Sequence, residues 1–313
     1  MKKKIAFFVK LIVLTVILFL FCFVLVMPQY SGNYQASMTD KVEKLKNTEG
    51  PKIVLIGNSN LAFGIDSKRI EEAFGMPVVN MGLHGGVGNA FNEQAAKYNV
   101  DEGDIYIIAH TNYDDADEIK NPVLAWITIE NHTDLYPLVR PKDWPDMIMA
   151  YPTYLKKCLT LWRTETGNGE TNDAYRRSAF NEYGDNYYPR PETTGDIDFS
   201  PVVINHINSA TAQRLNELNS YLTERGAAML VAAYPVAVYE KTPSPEQYYK
   251  MGQEMADALD CPVISDFRDY MLDKTYFYDT HSHLTDEGTR LRTEQLIEDI
   301  QTYMDGRDVY SEN

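Results

Sequence analysis

Ile53-Val54-Leu55-Ile56-Gly57-Asn58-Ser59-Asn60-Leu61-Ala62-Phe63-Gly64 is the stretch from which the fold reads. Lys52 to Ile56 is a short β-rich run that ends at Gly57. A brief apolar run without polar alternation predicts a strand buried on both faces, as in a parallel sheet. Ser59 follows, with a glycine two residues before it and another five after. This spacing predicts a tight loop at the end of the strand. The serine hydroxyl would be exposed there, and its N–H could face a developing oxyanion. A serine after a strand is also a common helix cap, and the stretch alone leaves both roles open.

Working outward, strand and helix patterns alternate. Asp66 to Phe74 predicts a helix capped by Asp66 or Ser67. Pro77 to Met81 predicts a strand, Asn89 to Tyr98 a helix and Asp104 to Ala109 a third strand. The rhythm resumes with a helix at Asn205 to Arg225, apolar at Ile207, Ala210, Leu215, Leu218 and Leu222, closed by Gly226. A strand at Ala227 to Ala233, a helix at Pro245 to Leu259, a short strand at Pro262 to Ser265 and a helix at Thr285 to Met304 complete it. Short apolar strands alternating with helices predict an α/β domain over residues 51–304 built on a doubly wound parallel sheet. Sites in such sheets lie beyond the carboxyl ends of the strands. Residues 114–200 break the rhythm and hold Trp126, Trp144 and Trp162. They read either as a cap that shapes a substrate site or as a helical addition on the flank with its aromatics in the core. Residues 305–313 form a tail.

The N-terminus belongs to another environment. Lys2, Lys3 and Lys4 precede an apolar stretch from Ile5 to Met27 that only Lys10, Thr15 and Cys22 interrupt. A helix needs about 20 such residues to cross a bilayer. The lysines predict a cytoplasmic N-terminus, which places residues 1–28 as tip and anchor and the remainder outside the cell. A cleavable signal peptide is the alternative, although its apolar core is ordinarily shorter and ends at small residues. Residues 29–50 are polar at first and then Lys-rich, and read as a stem.

Charge and cysteines narrow the partners. The chain carries a net −16, and its first 27 residues hold four lysines and no acid. That leaves 25 basic and 45 acidic residues beyond them, a net of −20. Such a surface repels nucleic acid. Cys158 and Cys261 lie far apart in sequence, which neither requires nor forbids a disulfide. There is no Cys-x-x-Cys pattern, and no cofactor-binding motif.

The second informative block is Phe277-Tyr278-Asp279-Thr280-His281-Ser282-His283-Leu284-Thr285-Asp286-Glu287-Gly288, just before the final helix. It supplies imidazole and carboxylate on one loop. A serine hydroxyl becomes a useful nucleophile when a base takes its proton and a carboxylate orients that base. His283 is the preferred base and His281 the competitor. Asp279, His281 and His283 also offer a metal-binding spacing, so a metal-dependent hydrolase stands as an alternative.

The two blocks together resemble the SGNH/GDSL hydrolase superfamily. Gly57-Asn58-Ser59 is similar to its first block, with Asn58 in place of Asp. Val79-Asn80-Met81-Gly82 resembles the second. His110-Thr111-Asn112 stands where a Gly-x-Asn block belongs, with His110 replacing the Gly. His283-Leu284-Thr285-Asp286-Glu287-Gly288 is similar to the tail block, with Asp279 four residues before the His instead of three. The resemblance covers roughly residues 51–113 and 202–304. Gly57 to Asp66 and Asn80 to Gly86 look most like a membrane-anchored bacterial branch that includes the D-alanine transfer protein of teichoic acid synthesis and the alginate O-acetylation proteins.

The resemblance implies a flavodoxin-like three-layer fold and a cofactor-free serine esterase or O-acyltransferase acting on acylated glycans or small esters of the cell envelope. Ser59 would be the nucleophile, His283 its base and Asp279 the orienting acid. The N–H groups of Ser59 and Gly82 and the Asn112 amide would form the oxyanion hole. Asn58, Asn60, His84 and His281 would be substrate contacts, and a membrane-bound O-acyltransferase a partner. For His84 a structural or surface role is the preferred reading and substrate contact the alternative. A non-catalytic binding or scaffolding module on the same fold is a further alternative.

Overall fold

The structure, a computed structural model, describes the chain except residues 1, 27, 115–117, 131, 165–171, 200–203, 205, 308 and 311–313. In chain order its elements begin with α1 (Lys2–Leu20) and α2 (Ser37–Asn47), followed by β1 (Ile53–Gly57), α3 (Ser59–Ala62), α4 (Ser67–Phe74), β2 (Val78–Asn80), α5 (Asn89–Glu93) and β3 (Ile105–Ala109). Then come α6 (Pro122–Ile129), α7 (Trp144–Thr164), α8 (Ser209–Thr223), β4 (Ala228–Val231), β5 (Val236–Val238), α9 (Pro245–Ala258), β6 (Met271–Asp273) and α10 (Asp286–Met304).

Four strands form a parallel sheet in the order β2-β1-β3-β4. β1 lies at its centre, with Ile53 beside both Val78 and Ile105 and Gly57 beside Ala109. Alternate strand residues feed two separate cores. Val54, Ile56, Tyr106, Ile108 and Met229 pack with α2, α8 and α9. Ile53, Leu55, Ile107 and Leu230 pack with Ile70 of α4 and Leu296 and Ile300 of α10. This two-sided burial explains why the strands read as continuous apolar runs. At the start of β1, Lys52 is fully buried and its ammonium is 2.7 Å from Asp101 and 2.9 Å from Asp104.

The expected strand at Pro262–Ser265 is reduced to a single parallel bridge, Val263 beside Val231, flanked by N–H···O bonds of 2.9 Å. The paired strands β5 and β6 form a small second parallel sheet. Three residues each are too few to show a period in the sequence. Asp66 is the N-cap of α4, accepting the Arg69 N–H at 3.3 Å, and Gly75 closes that helix with φ 65°. Among the described residues, 114–200 hold two helices, α6 and α7, and several short 3-10 turns.

Residues 29–50 are not a free stem. Tyr30, Tyr34, Met38, Val42 and Leu45 are buried in the larger core, and so is Val26 at the end of the apolar segment. The polar and lysine residues that suggested a stem lie among these: Lys41 is buried and donates to the Asn80 carbonyl at 2.8 Å. Lys2–Leu25 is a helical segment of 24 residues, long and apolar enough to cross a bilayer. A signal sequence has the same character. Cys22, Cys158 and Cys261 are free thiols.

Candidate active site

The turn after β1 is built from glycine and asparagine. A Cβ at Gly57 would stand 2.4 Å from the Ala109 carbonyl oxygen, so only glycine lets β1 and β3 end in register there. Asn58 caps α3, its Oδ1 accepting the Asn60 N–H at 3.2 Å while its Nδ2 donates to Thr111 Oγ1 at 2.7 Å. Asn60 donates to the Ala109 carbonyl at 2.9 Å and accepts from Arg292 of α10 at 2.6 Å. Arg292 is fully buried and also donates to the Asn60 carbonyl. Both asparagines are buried with their side chains engaged. They therefore hold the serine turn; the expected substrate contact at Asn60, which has no exposed surface, is corrected on that ground, and at Asn58 because both ends of its amide are taken. Ser59 is half-buried, and neither its hydroxyl nor its N–H has a partner among the described residues.

His283 arrives on the loop before α10. Leu284 donates its N–H to the Phe63 carbonyl at 3.1 Å, and Phe63 donates its own to the Ser59 carbonyl at 2.9 Å. The Phe63 ring stacks on the His283 ring at 4.1 Å between centroids, 10° from parallel. Hydrogen bonds and one ring stack thus tie the histidine loop to the serine turn. Thr285 caps α10 by accepting the Gly288 N–H at 3.2 Å. A Cβ on Gly288 would meet the Tyr276 carbonyl oxygen at 2.5 Å. The His-Leu-Thr-x-x-Gly spacing is therefore a helix start packed against its own incoming loop.

Asp279 Oδ1 lies 2.8 Å from His283 Nδ1. The extra residue between them is absorbed by Thr280, whose hydroxyl accepts the N–H groups of Ser282 and His283 at 3.3 and 3.1 Å. The other Asp279 oxygen accepts from the Tyr175 hydroxyl at 2.6 Å, and that hydroxyl is also 3.2 Å from His283 Nδ1. Burial acts to raise the Asp279 pKa, but the hydrogen bond and charge of His283 and the Tyr175 hydroxyl outweigh it, and the carboxyl lies below its ordinary value. The Tyr175 phenol is raised, by burial first and then by Asp279. Nothing in the aromatic-rich 114–200 sequence singled out Tyr175 from its neighbours.

That segment underpins the site in other ways. Arg190 donates to the Leu284 carbonyl at 2.8 Å and its carbonyl accepts the Asp286 N–H at 2.8 Å. Thr194 donates its N–H to the Tyr278 carbonyl at 2.6 Å. Asp185 accepts from Ser67 and from Asn80 at 2.6 and 2.8 Å.

The expected oxyanion donor at Gly82 is corrected. Its N–H donates to Asn80 Oδ1 at 2.9 Å, and a Cβ there would meet Leu61 Cβ at 2.7 Å, so this glycine serves close packing against α3. Gly85, three residues on, is half-buried. Its N–H has no partner among the described residues, and a Cβ there would lie 3.2 Å from Asn58 Cβ, next to Ser59. The Gly85-Gly86 pair was the available signal. Asn112 accepts the Asp114 N–H at 2.9 Å through Oδ1, and its Nδ2 has no partner among the described residues. His110 is buried, 3.0 Å from Glu93, which Arg214 holds at 2.6 Å. Burial acts to raise Glu93, yet His110 and Arg214 keep its pKa below the ordinary carboxylate value.

His84 and His281 are exposed at the rim. The protein packed beneath each lowers its pKa, and the neighbouring His283 lowers it further. Among the described residues no three His, Cys, Asp or Glu side chains gather to hold a metal ion. The Asp279-His281-His283 spacing therefore does not become a ligand set, because Asp279 and Tyr175 engage His283 Nδ1 while His281 stands outside. A cavity of ≈ 330 Å³ is lined by Glu93, Lys97, Arg140 and Arg214, among others, and not by Ser59, Asp279 or His283. No protein-family model matches this chain, and no curated protein does either.

Proposed function

We propose that this protein is a serine esterase or O-acyltransferase of the SGNH type, acting on acyl esters of envelope glycans from the outer face of a bacterial membrane. The observation that carries the reading is the His283 ring, held by Asp279 at 2.8 Å on one nitrogen and stacked on Phe63 of the serine turn. Its Nε2 has no partner among the described residues and is available to a serine proton. The strand order β2-β1-β3-β4 with a core on each face supports the doubly wound, three-layer SGNH architecture.

In this mechanism Ser59 Oγ attacks the ester carbonyl as His283 takes its proton. Asp279 fixes the ring and balances the imidazolium. The N–H groups of Ser59 and Gly85, with the Asn112 amide, receive the oxyanion; one such donor is worth about 2.7–4 kcal/mol in the transition state. His283 returns the proton to the leaving alcohol, and an acyl-Ser59 ester remains. Water as the second acceptor gives hydrolysis; a sugar hydroxyl gives transfer. His84 and His281, both exposed, would contact the acceptor. A single-pass anchor with a cytoplasmic N-terminus and a membrane-bound O-acyltransferase as acyl source complete the proposal.

The test is hydrolysis of p-nitrophenyl acetate by the full-length protein in detergent, wild type against Ser59→Ala and His283→Ala. Turnover is expected in the wild type and lost in both variants with circular dichroism unchanged. Wild-type-like turnover in either variant overturns the mechanism. If no form turns over, a fluorophosphonate probe decides: labelling that disappears in Ser59→Ala keeps the nucleophile, and no labelling makes the protein a non-catalytic module.

A further inference from the structure

The apolar N-terminal segment does not simply stop where the globular part begins. Phe23 stacks on Tyr151 of α7, centroids 5.3 Å apart and 11° from parallel, and Phe21 meets Trp162 of the same helix edge-on at 6.3 Å. Tyr151 and Trp162 are eleven residues apart, about 16 Å along a helix axis, whereas Phe21 and Phe23 are separated by only about 3 Å. Two helices running side by side would match equal lengths. The contacts spread along α7 but gather at the end of the apolar segment, as they would for a helix lying across the end of a membrane-spanning segment.

The sequence of α7 fits that plane. Ile148, Pro152, Leu155, Leu159 and Trp162 recur at intervals of four and three and form one stripe along the helix. Ile148 and Trp162 on this stripe are exposed, by 65% and 44%, and Met149 beside it by 80%. Outside α1 and the turn that follows it, few large apolar side chains of the described residues are so open to solvent. Lys156, Lys157 and Arg163 are exposed on the same helix, with Asp146 as its single acid. A basic, Trp-bearing helix thus sits on a chain whose remainder beyond the anchor is strongly acidic. Exposed apolar residues with basic flanks are the pattern of a helix that lies in the headgroup region, and tryptophan favours that depth.

The junction is clamped as well. Glu130, buried at the end of α6 with φ 29°, accepts the Tyr30 N–H at 3.0 Å and the Tyr154 hydroxyl of α7 at 3.3 Å. The chain leaving the anchor is thereby held to α7, and α7 keeps a fixed relation to the anchor.

We infer that α7 is an interfacial helix that seats the domain on the lipid surface through Ile148, Met149 and Trp162, fixing the height of the Ser59 site above the bilayer. The inference does not depend on the acyl chemistry; it rests on the reading of Lys2–Leu25 as a retained anchor.

The test places single cysteines at Val13, Ile148 and Glu246 of the full-length chain, in a Cys22→Ala background. Cys158 and Cys261 are buried, and burial pushes their thiols up to about 11 and about 12, so they label poorly at neutral pH. Each variant is labelled in detergent with an environment-sensitive fluorophore and moved into phosphatidylcholine nanodiscs containing doxyl lipids. Labels at Val13 and Ile148 are expected to shift to the blue and be quenched, that at Ile148 by shallow doxyl groups, while Glu246, exposed on α9, is not. Quenching at Val13 with Ile148 as unquenched as Glu246 overturns the interfacial helix and leaves the anchor standing. No quenching at Val13 removes the anchor and the inference together.

Discussion

Tyr175 is the residue whose role the site reveals most directly. Asp279 faces two donors, His283 and the Tyr175 hydroxyl, and without them burial would favour its neutral form. In the proposed mechanism, removing the hydroxyl weakens the carboxylate that would balance an imidazolium in the transition state. A hydrogen bond to a charged group contributes about 1.5–3 kcal/mol, and about 1.4 kcal/mol is tenfold in rate. Tyr175→Phe is therefore expected to lower kcat on p-nitrophenyl acetate at least about tenfold with KM little changed. The Phe ring keeps the packing against Phe63 and Tyr34, 5.4 and 5.8 Å away between centroids. A lowered melting temperature with kcat unaltered would make Tyr175 a packing residue only. At this same scale the reading of Ser59, His283 and Asp279 came from side-chain chemistry on two short blocks. Gly85 and Gly82 could not be told apart that way, since both are glycines on one loop and only the Asn80 side chain decides which N–H is free.

At the level of elements, the start of α10 is the joint between the sheet and the site. Thr285 caps the helix two residues after His283, so its hydroxyl fixes the backbone that carries the imidazole. Thr285→Ala is expected to cost about 1 kcal/mol, within the usual range for a lost cap, read from urea denaturation. Gly288→Ala is expected to cost more, because its Cβ meets backbone at Tyr276 and not a movable side-chain tip. Equal stabilities for the two variants would mean that the Tyr276 loop yields freely. α6 and α7 lie in the 114–200 segment, where the apolar rhythm breaks, whereas the helices beside the sheet and the central strands were legible from apolar spacing. The short strands β5 and β6 were not, as three-residue strands carry no period, and the bridge at Val263 shows how little pairing a predicted apolar run can retain.

For the whole molecule, the junction between anchor, leading segment and α7 is the feature with the clearest pH consequence. Burial pushes the Glu130 carboxyl up to about 7, against the N–H groups and hydroxyl that it accepts. The native state keeps this proton over a range in which the unfolded chain, with a value near 4.5, has released it. Protons bound to the native state exceed those on the unfolded state there, so stability falls as pH rises from about 4.5 through about 7. The loss is on the order of 3 kcal/mol. Full-length wild type in detergent is expected to lose more melting temperature between pH 5 and pH 8 than Glu130→Gln, which keeps an acceptor and has no proton to release. Parallel pH curves for the two would show that Glu130 does not titrate in this window.

The sequence by itself determined the parallel α/β core and the apolar N-terminal helix, because burial on both faces of a strand and the thickness of a bilayer each demand a local, unbroken run of side chains. It also marked the two blocks that meet at the site, since their chemistry is carried within a dozen residues each. Only the tertiary structure decided that residues 29–50 enter the core, that Asn58 and Asn60 brace the turn, that Gly82 is spoken for, and that Tyr175 reaches Asp279 from 104 positions away. These are contacts between segments distant in sequence. Their partners are chosen by packing and by hydrogen-bond reach, and neither leaves a period or a spacing along the chain.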